Sequence, residues 1–246
     1  MKKETREVAI TVKDLHISYK DIKRFSLKKK GFSGLNATVF KAVKGISFEV
    51  KKGEIIGICG KNGSGKSTTL RAIAGIFSPD KGSINLHGNT ISLLSIGVGF
   101  QKKLTGYENI FLSGMLLGFS KEQIESKLKE IIEFSELGDA IYKPVRSYSS
   151  GMHSKLAFAI TAILETDIML IDEVLSVGDI KFKEKSYNKM KELISDENRT
   201  VIIVSHSSKT LRELCDTVIW LHEGLIKEIG PSDEIVTRYE EFMMQD

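Results

Sequence analysis

The run "GKNGSGKS" at residues 60–67 constrains this chain more than any other stretch. It follows the apolar "EIIGIC" and precedes the helix-forming "TLRAIAG", so the spacing GxxxxGK(S/T) falls on a strand-to-helix turn. Gly63 and Gly65 let the backbone turn its N–H groups inward toward phosphate oxygens, and the helix that follows adds the positive end of its dipole. Lys66 is then placed to reach β- and γ-phosphates, and Ser67 to ligate Mg2+. The whole run of Gly60, Lys61, Asn62, Gly63, Ser64, Gly65, Lys66 and Ser67, with Thr68 behind it, is the expected cradle for a nucleotide's phosphates.

Two further runs, "IMLIDE" (168–173) and "VIIVSH" (201–206), are apolar on both faces, the pattern of parallel strands covered by helices. Ligands of open α/β sheets sit beyond the carboxyl ends of the strands, so Gly60, Asp172, Glu173 and His206 are expected at one edge. Helices over 66–75, 151–164, 182–194 and 209–214 complete a doubly wound α/β sheet. Asp172 and Glu173 point to opposite sides of their strand and do not share a proton. Asp172 is assigned to Mg2+, Glu173 to polarising the attacking water as general base, and His206 to a contact with the γ-phosphate. The stretch "KEQIESKLKEIIEFSELG" has helical spacing and marks an inserted helical lobe over about 103–160. "REVAITVKDLHISYK" and "AVKGISFEVKKGE" alternate apolar with polar and predict antiparallel strands flanking the core.

With 246 residues, 41% hydrophobic and 28% charged, the chain reads as one ordinary globular domain whose core spans about 1–100 and 165–246. A formal charge of +4 is too small to name a nucleic-acid partner, and none is expected. The lysine cluster "SLKKKG" reads as a solvated loop. Two cysteines, Cys59 and Cys215, both in apolar surroundings, point to a reducing cytosol and no disulfide framework. The apolar uncharged stretch "NIFLSGMLLGFS" falls short of the roughly 18–20 residues that span a bilayer, so membrane association is expected through a partner or a surface.

The remaining motif is "YSSGMHSKLAFAI" (148–160), two serines and a glycine before an apolar helical run, as expected of a helix whose first turn grips an anion. Together these features resemble the nucleotide-binding subunit of ABC transporters over nearly the whole chain, with "YSSGM" where that family usually has LSGGQ. Ser150 stands where glycine is usual and Met152 where glutamine is usual; Met152 cannot donate an amide's hydrogen bonds. The resemblance implies a P-loop NTPase of ABC type, with a RecA-like parallel core, an antiparallel β subdomain and an inserted helical subdomain. It implies ATP and Mg2+ as ligands. It also implies that Ser149, Ser150 and Gly151 contact the γ-phosphate of ATP held by a second copy of the chain. Gln101 in "GVGFQKKLTGYENI" looks like the Q-loop, near the metal and the transmembrane partner. Asp179 in "SVGD" looks like the D-loop residue that crosses the dimer interface. Tyr19 looks like the aromatic that stacks on adenine, with Phe40 competing because residues 20–41 read as an insertion.

Within the family, "YSSGM", "KLAFAI", "IDEVLSVGD" and "LTGYENI" followed by "IIEFSELG" resemble the ATPases of polysaccharide exporters, that of teichoic acid above all. The implied machine is two copies of this subunit with two copies of a polytopic permease, at the cytoplasmic face of the membrane. No carbohydrate-binding domain is expected after "IVTRYEEF". A different cargo on the same motor and a soluble ABC ATPase are the alternatives; a GTPase lacks support because no NKxD is present. Replacing Glu173→Gln should leave ATP binding intact and slow hydrolysis about a hundredfold or more, the share general-base catalysis commonly carries. Unchanged turnover in single-turnover assays would refute that assignment.

Overall fold

The computed structural model of the protein describes residues 6–26, 33–94, 99–172, 178–196 and 199–245, with the backbone alone at 20–26 and 33–38. In chain order the first half holds β1 (Val8–Ser26), β2 (Ser33–Lys51), β3 (Ile55–Cys59), α1 (Lys66–Ile73), β4 (Lys81–Asn85), β5 (Ile91–Leu93), α2 (Gly106–Leu116) and α3 (Lys121–Ser135). The second half holds α4 (Ser150–Ile163), β6 (Ile168–Asp172), α5 (Ile180–Ile194), β7 (Thr200–Val204), α6 (Ser208–Leu214), β8 (Thr217–His222), β9 (Leu225–Pro231) and α7 (Ser232–Gln245). One sheet has the order β2-β1-β4, its pairs antiparallel; the other has the order β5-β6-β7-β3-β8-β9. In the second sheet every neighbouring pair is parallel except β8–β9.

Alternation along the central strands builds two cores at once. Ile56, Ile58, Ile168, Leu170, Ile202, Val204, Ile219 and Leu221 face the antiparallel sheet, joined by Ile10, Leu15, Ile46 and Val50 from it. The residues between them, among them Cys59, Met169, Ile171, Val201, Ile203, Val218 and Trp220, face α4, α5, α6 and α7. Period-2 side chains with both faces buried explain why these strands read as unbroken apolar runs. Burial also pushes both thiols, Cys59 and Cys215, up to about 12, so they act as small core hydrophobes.

The segment read as an insertion at 20–41 continues the β1–β2 pairing outward as far as Ser26 opposite Ser33. The described residues of that segment thus lengthen β1 and β2 of the antiparallel sheet. Among the described residues no helix is long and apolar enough to cross a membrane.

The helical lobe starts with two capping boxes, Thr105 with Glu108 on α2 and Ser120 with Gln123 on α3, each worth about 1 kcal/mol. Ile110, Ile124, Ile131, Ile141, Leu156 and Ile160 form its own apolar centre. Helix α4 is a shared wall: Phe158 and Ala162 belong to the core of the main sheet, whereas Leu156, Ile160 and Ile163 belong to the lobe.

Ionised groups close the same junction. Lys155 of α4 pairs with Asp179 at 2.8 Å and with Glu136 at 3.3 Å, while Lys185 of α5 reaches Glu136 at 3.0 Å. The hydrogen bond from Lys155, then that from the Phe182 amide, holds the Asp179 carboxyl down at about 2. Its ordinary unfolded value is about 4, so the folded form binds its proton more weakly. Stability from this pair is complete above about pH 4 and is lost as pH falls toward 2. Lys155→Met should therefore lower the melting temperature near pH 7, and its deficit against the parent should shrink on acidification between pH 4 and 2. A deficit independent of pH over that window, by circular dichroism melts, would count against the pair.

Candidate functional site

Strand β3 runs into the loop 60–65, and the loop into α1. Gly60, Gly63 and Gly65 have φ of 145°, 79° and 103°, left-handed values that an L side chain rarely adopts. Helix α1 starts from Gly65 without a side-chain cap and without an acidic residue in its first turn. Its leading N–H groups thus suit an anion supplied from outside the helix. Lys66, 6% exposed, donates from Nζ to the carbonyls of Gly60 (2.8 Å) and Lys61 (2.9 Å), which holds the ammonium across the loop.

A cavity of about 260 Å3 opens beside this loop, lined by Asn62, Gly63, Gly65, Lys66, Ser67 and Thr68, by Phe40 and Ala42 of β2, and by Val204 and His206 at the end of β7. The loop and His206 therefore meet as the sequence predicts. Ser67 Oγ donates to Asp172 Oδ1 at 3.0 Å, joining α1 to the end of β6. Arg71, one turn further along α1, lies 4.0 Å from the other Asp172 oxygen, a neighbour the sequence reading missed. A hydroxyl and a carboxylate side by side form a hard-oxygen pair suited to Mg2+, which usually takes one or two such groups plus phosphate and water oxygens. No group of three or more His, Cys, Asp or Glu able to hold a metal occurs among the described residues. Glu173 lies outside the described residues, as do Ser176 and Val177 of the "SVGD" run.

Tyr19 and Phe40 are opposite each other across β1 and β2. Their surroundings differ. The Tyr19 hydroxyl is 3.0 Å from Thr68 Oγ1 and its ring meets Phe77 edge-on, and Tyr19 does not line the cavity. Phe40 does, with 58% of its surface exposed. The aromatic placed over the cavity is thus Phe40 rather than Tyr19, because the tyrosine hydroxyl is drawn down to α1.

Several expected residues are not brought to this cavity within one chain. Gln101 is exposed, and its backbone is fixed by Asn109: the Gln101 N–H donates to Asn109 Oδ1 at 2.7 Å and Asn109 Nδ2 donates back to the Gln101 carbonyl at 3.2 Å. Asn109 is fully buried and also bonds the carbonyls of Leu104 and Thr105, a lock on the loop that spacing alone does not reveal. Ser149 caps α4 by accepting the Met152 N–H at 3.2 Å, and Ser149 and Ser150 are exposed to solvent. Asp179, expected across a dimer interface, caps α5 through the Phe182 N–H at 3.0 Å and pairs with Lys155.

The ABC transporter family model matches residues 43–176, from β2 through the phosphate loop and α4 to just past β6. The O-antigen export system ATP-binding protein RfbB of Klebsiella pneumoniae is 42% identical over 87% of this chain and 87% of its own length. The teichoic acids export ATP-binding protein TagH of Bacillus anthracis is 43% identical over 90% of this chain but only 41% of its own length, so the chain spans less than half of that relative. Among solved structures, the ATP-binding subunit of an ABC transporter superposes with a TM-score of 0.71 at 23% identity, covering 94% of this chain and 93% of that one. A dimeric ATP-binding cassette bound to ADP and Pi superposes with a TM-score of 0.66 at 21% identity, covering 91% of this chain and 98% of that one. The loop geometry, the serine–aspartate pair and these likenesses converge: the chain belongs to the ABC transporter family, as an ATP-binding subunit.

Proposed function

We propose that this chain is the ATP-hydrolysing motor of an exporter that moves a cell-surface polysaccharide, wall teichoic acid or a related lipid-linked glycan, across the cytoplasmic membrane. The observation that carries the motor reading is the separation of the phosphate cavity from the exposed start of α4 in one chain. Each half is built for an anion, and two copies facing each other bring them together. The cargo reading rests on 42–43% identity to O-antigen and teichoic acid export ATP-binding proteins over 87–90% of this chain.

In that arrangement the loop N–H groups and Lys66 bind the phosphates, and Phe40 covers the adenine. Ser67 and Asp172 would hold Mg2+, which when bound would offset negative charge on the phosphates. Glu173 takes the proton of the attacking water, and His206 contacts the γ-phosphate from the end of β7. Ser149, Ser150 and Gly151 of the second copy close over the same phosphate, with Gln101 and Asp179 at the borders of the site. Exposed Met115, Leu116 and Tyr142 on the lobe give a polytopic permease an apolar surface to seat on. The chain then works as a peripheral subunit at the cytoplasmic face.

Stacking a base on an aromatic ring is worth about 1–3 kcal/mol. Phe40→Ala should weaken ATP binding about tenfold or more, and Tyr19→Ala by clearly less, in titrations with a fluorescent ATP analogue. The reverse ranking would return the adenine to Tyr19. For the cargo, tagged chain drawn from its native cells in mild detergent should bring down one polytopic protein in equal amount, and depletion should lower the surface glycan. Recovery with ribosomes, DNA or nothing would overturn the exporter reading.

A further inference from the structure

Helix α7 lies at the far end of the chain, yet its last turn touches the phosphate loop. Lys61 Nζ stands 5.2 Å from the centroid of the Phe242 ring. Lys227 of β9 stands over the same ring at 3.6 Å and over Trp220 at 4.1 Å. Trp220 and His222 of β8 meet the Phe242 ring at 5.2 and 5.3 Å. Distances within about 6 Å of a ring face are those of cation–π attraction.

Lys61 matters to the loop through its backbone. Its carbonyl accepts both the Lys66 ammonium at 2.9 Å and the Ser64 N–H at 3.2 Å. The position of that one oxygen thus sets where Lys66 waits and how the loop turns. Helix α7 is itself well anchored: Ile235, Val236 and Tyr239 are buried, and Arg212 holds Glu240 at 2.8 Å and the Asp233 carbonyl at 3.1 Å.

We infer that Phe242 is a positioning residue for nucleotide binding: it tethers the Lys61 side chain to α7 and so fixes the loop carbonyl that orders Lys66. The tether acts from outside the cavity and touches neither nucleotide nor metal. The inference rests on the loop holding ATP and is independent of cargo and permease.

The test is a double-mutant cycle on the full chain, reading the Kd for ATP by titration and turnover at saturating ATP. Phe242→Leu should raise Kd roughly two- to fivefold, the size of one exposed cation–π contact, with saturated turnover within about twofold of the parent. Lys61→Met removes the same contact together with the rest of what the ammonium does, so it should raise Kd at least as far, and the double variant should be no worse than Lys61→Met alone. Phe242→Trp, with the ring best suited to such contacts, should restore the parent value. Emission of Trp220, the single tryptophan, reports separately whether α7 stays docked. A shifted emission or lower melting temperature with unchanged Kd in Phe242→Leu would overturn the proposal, as would additive effects in the double variant. A parent chain that bound no ATP would overturn the reading of the loop itself.

Discussion

Between Gly60 and Gly65 the phosphate loop is pressed against the backbone of its neighbours, and the rest of the site takes its geometry from that contact. A Cβ at Gly60 would lie 2.1 Å from the Leu221 carbonyl oxygen, and one at Gly65 would lie 2.6 Å from that of Ala42. The turn between β8 and β9 closes the clamp: the Gly224 N–H donates to the Ser64 carbonyl at 3.1 Å, and the Lys44 N–H to the Gly224 carbonyl at 2.8 Å. The antiparallel sheet is thereby fastened to the parallel one at the loop. Phe40 and Ala42 of β2 both line the cavity, so the clamp on Ala42 also holds the strand that carries the aromatic.

Strand order does the remaining positioning. β7 lies between β3 and β6, so the loop and the Asp172 carboxylate are two strand spacings apart, about 10 Å. Helix α1 crosses that gap and lays Ser67 against Asp172, while the intervening β7 delivers His206 into the same cavity. Were β6 next to β3, the carboxylate would crowd the loop and leave no room for a chain of phosphates with a cation beside it.

The loop, the three apolar strands and the helices after them were legible because each is a local pattern: a spacing, a period of two, a cap. Non-local partners were not. The register that sets Tyr19 opposite Phe40 is symmetric with respect to which ring faces the cavity; the Tyr19 hydroxyl bond to Thr68, 49 residues away, breaks the tie. Asn109 reads as one polar residue in an apolar helix until its partners at 101, 104 and 105 are known. The strand extensions at 20–26 and 33–41 interrupt the expected core spacing and so read as an insertion, although they pair with each other. β9 is antiparallel at the edge because a tight turn at Glu223–Gly224, both with positive φ, reverses the chain directly after β8.

The proposed motor also needs the start of α4 to move as one body with the core when it meets a second copy's ATP. A lobe packed only through apolar side chains could rock on α4, whose two faces belong to different cores. The charges at the junction are directional and resist this: Lys155 stands between Glu136 at the end of α3 and Asp179 at the start of α5, and Lys185 binds Glu136 from the other side. Phe182 lies beneath both ammonium groups, 4.9 Å from Lys155 and 5.9 Å from Lys185, so their aliphatic stems are packed as well as their heads paired. Since Lys155 sits only six residues after Ser149, a force on the start of α4 reaches α5 through little more than one and a half helical turns. On this view the junction couples the half-site that receives the second copy's phosphate to the helix that begins seven residues after Glu173.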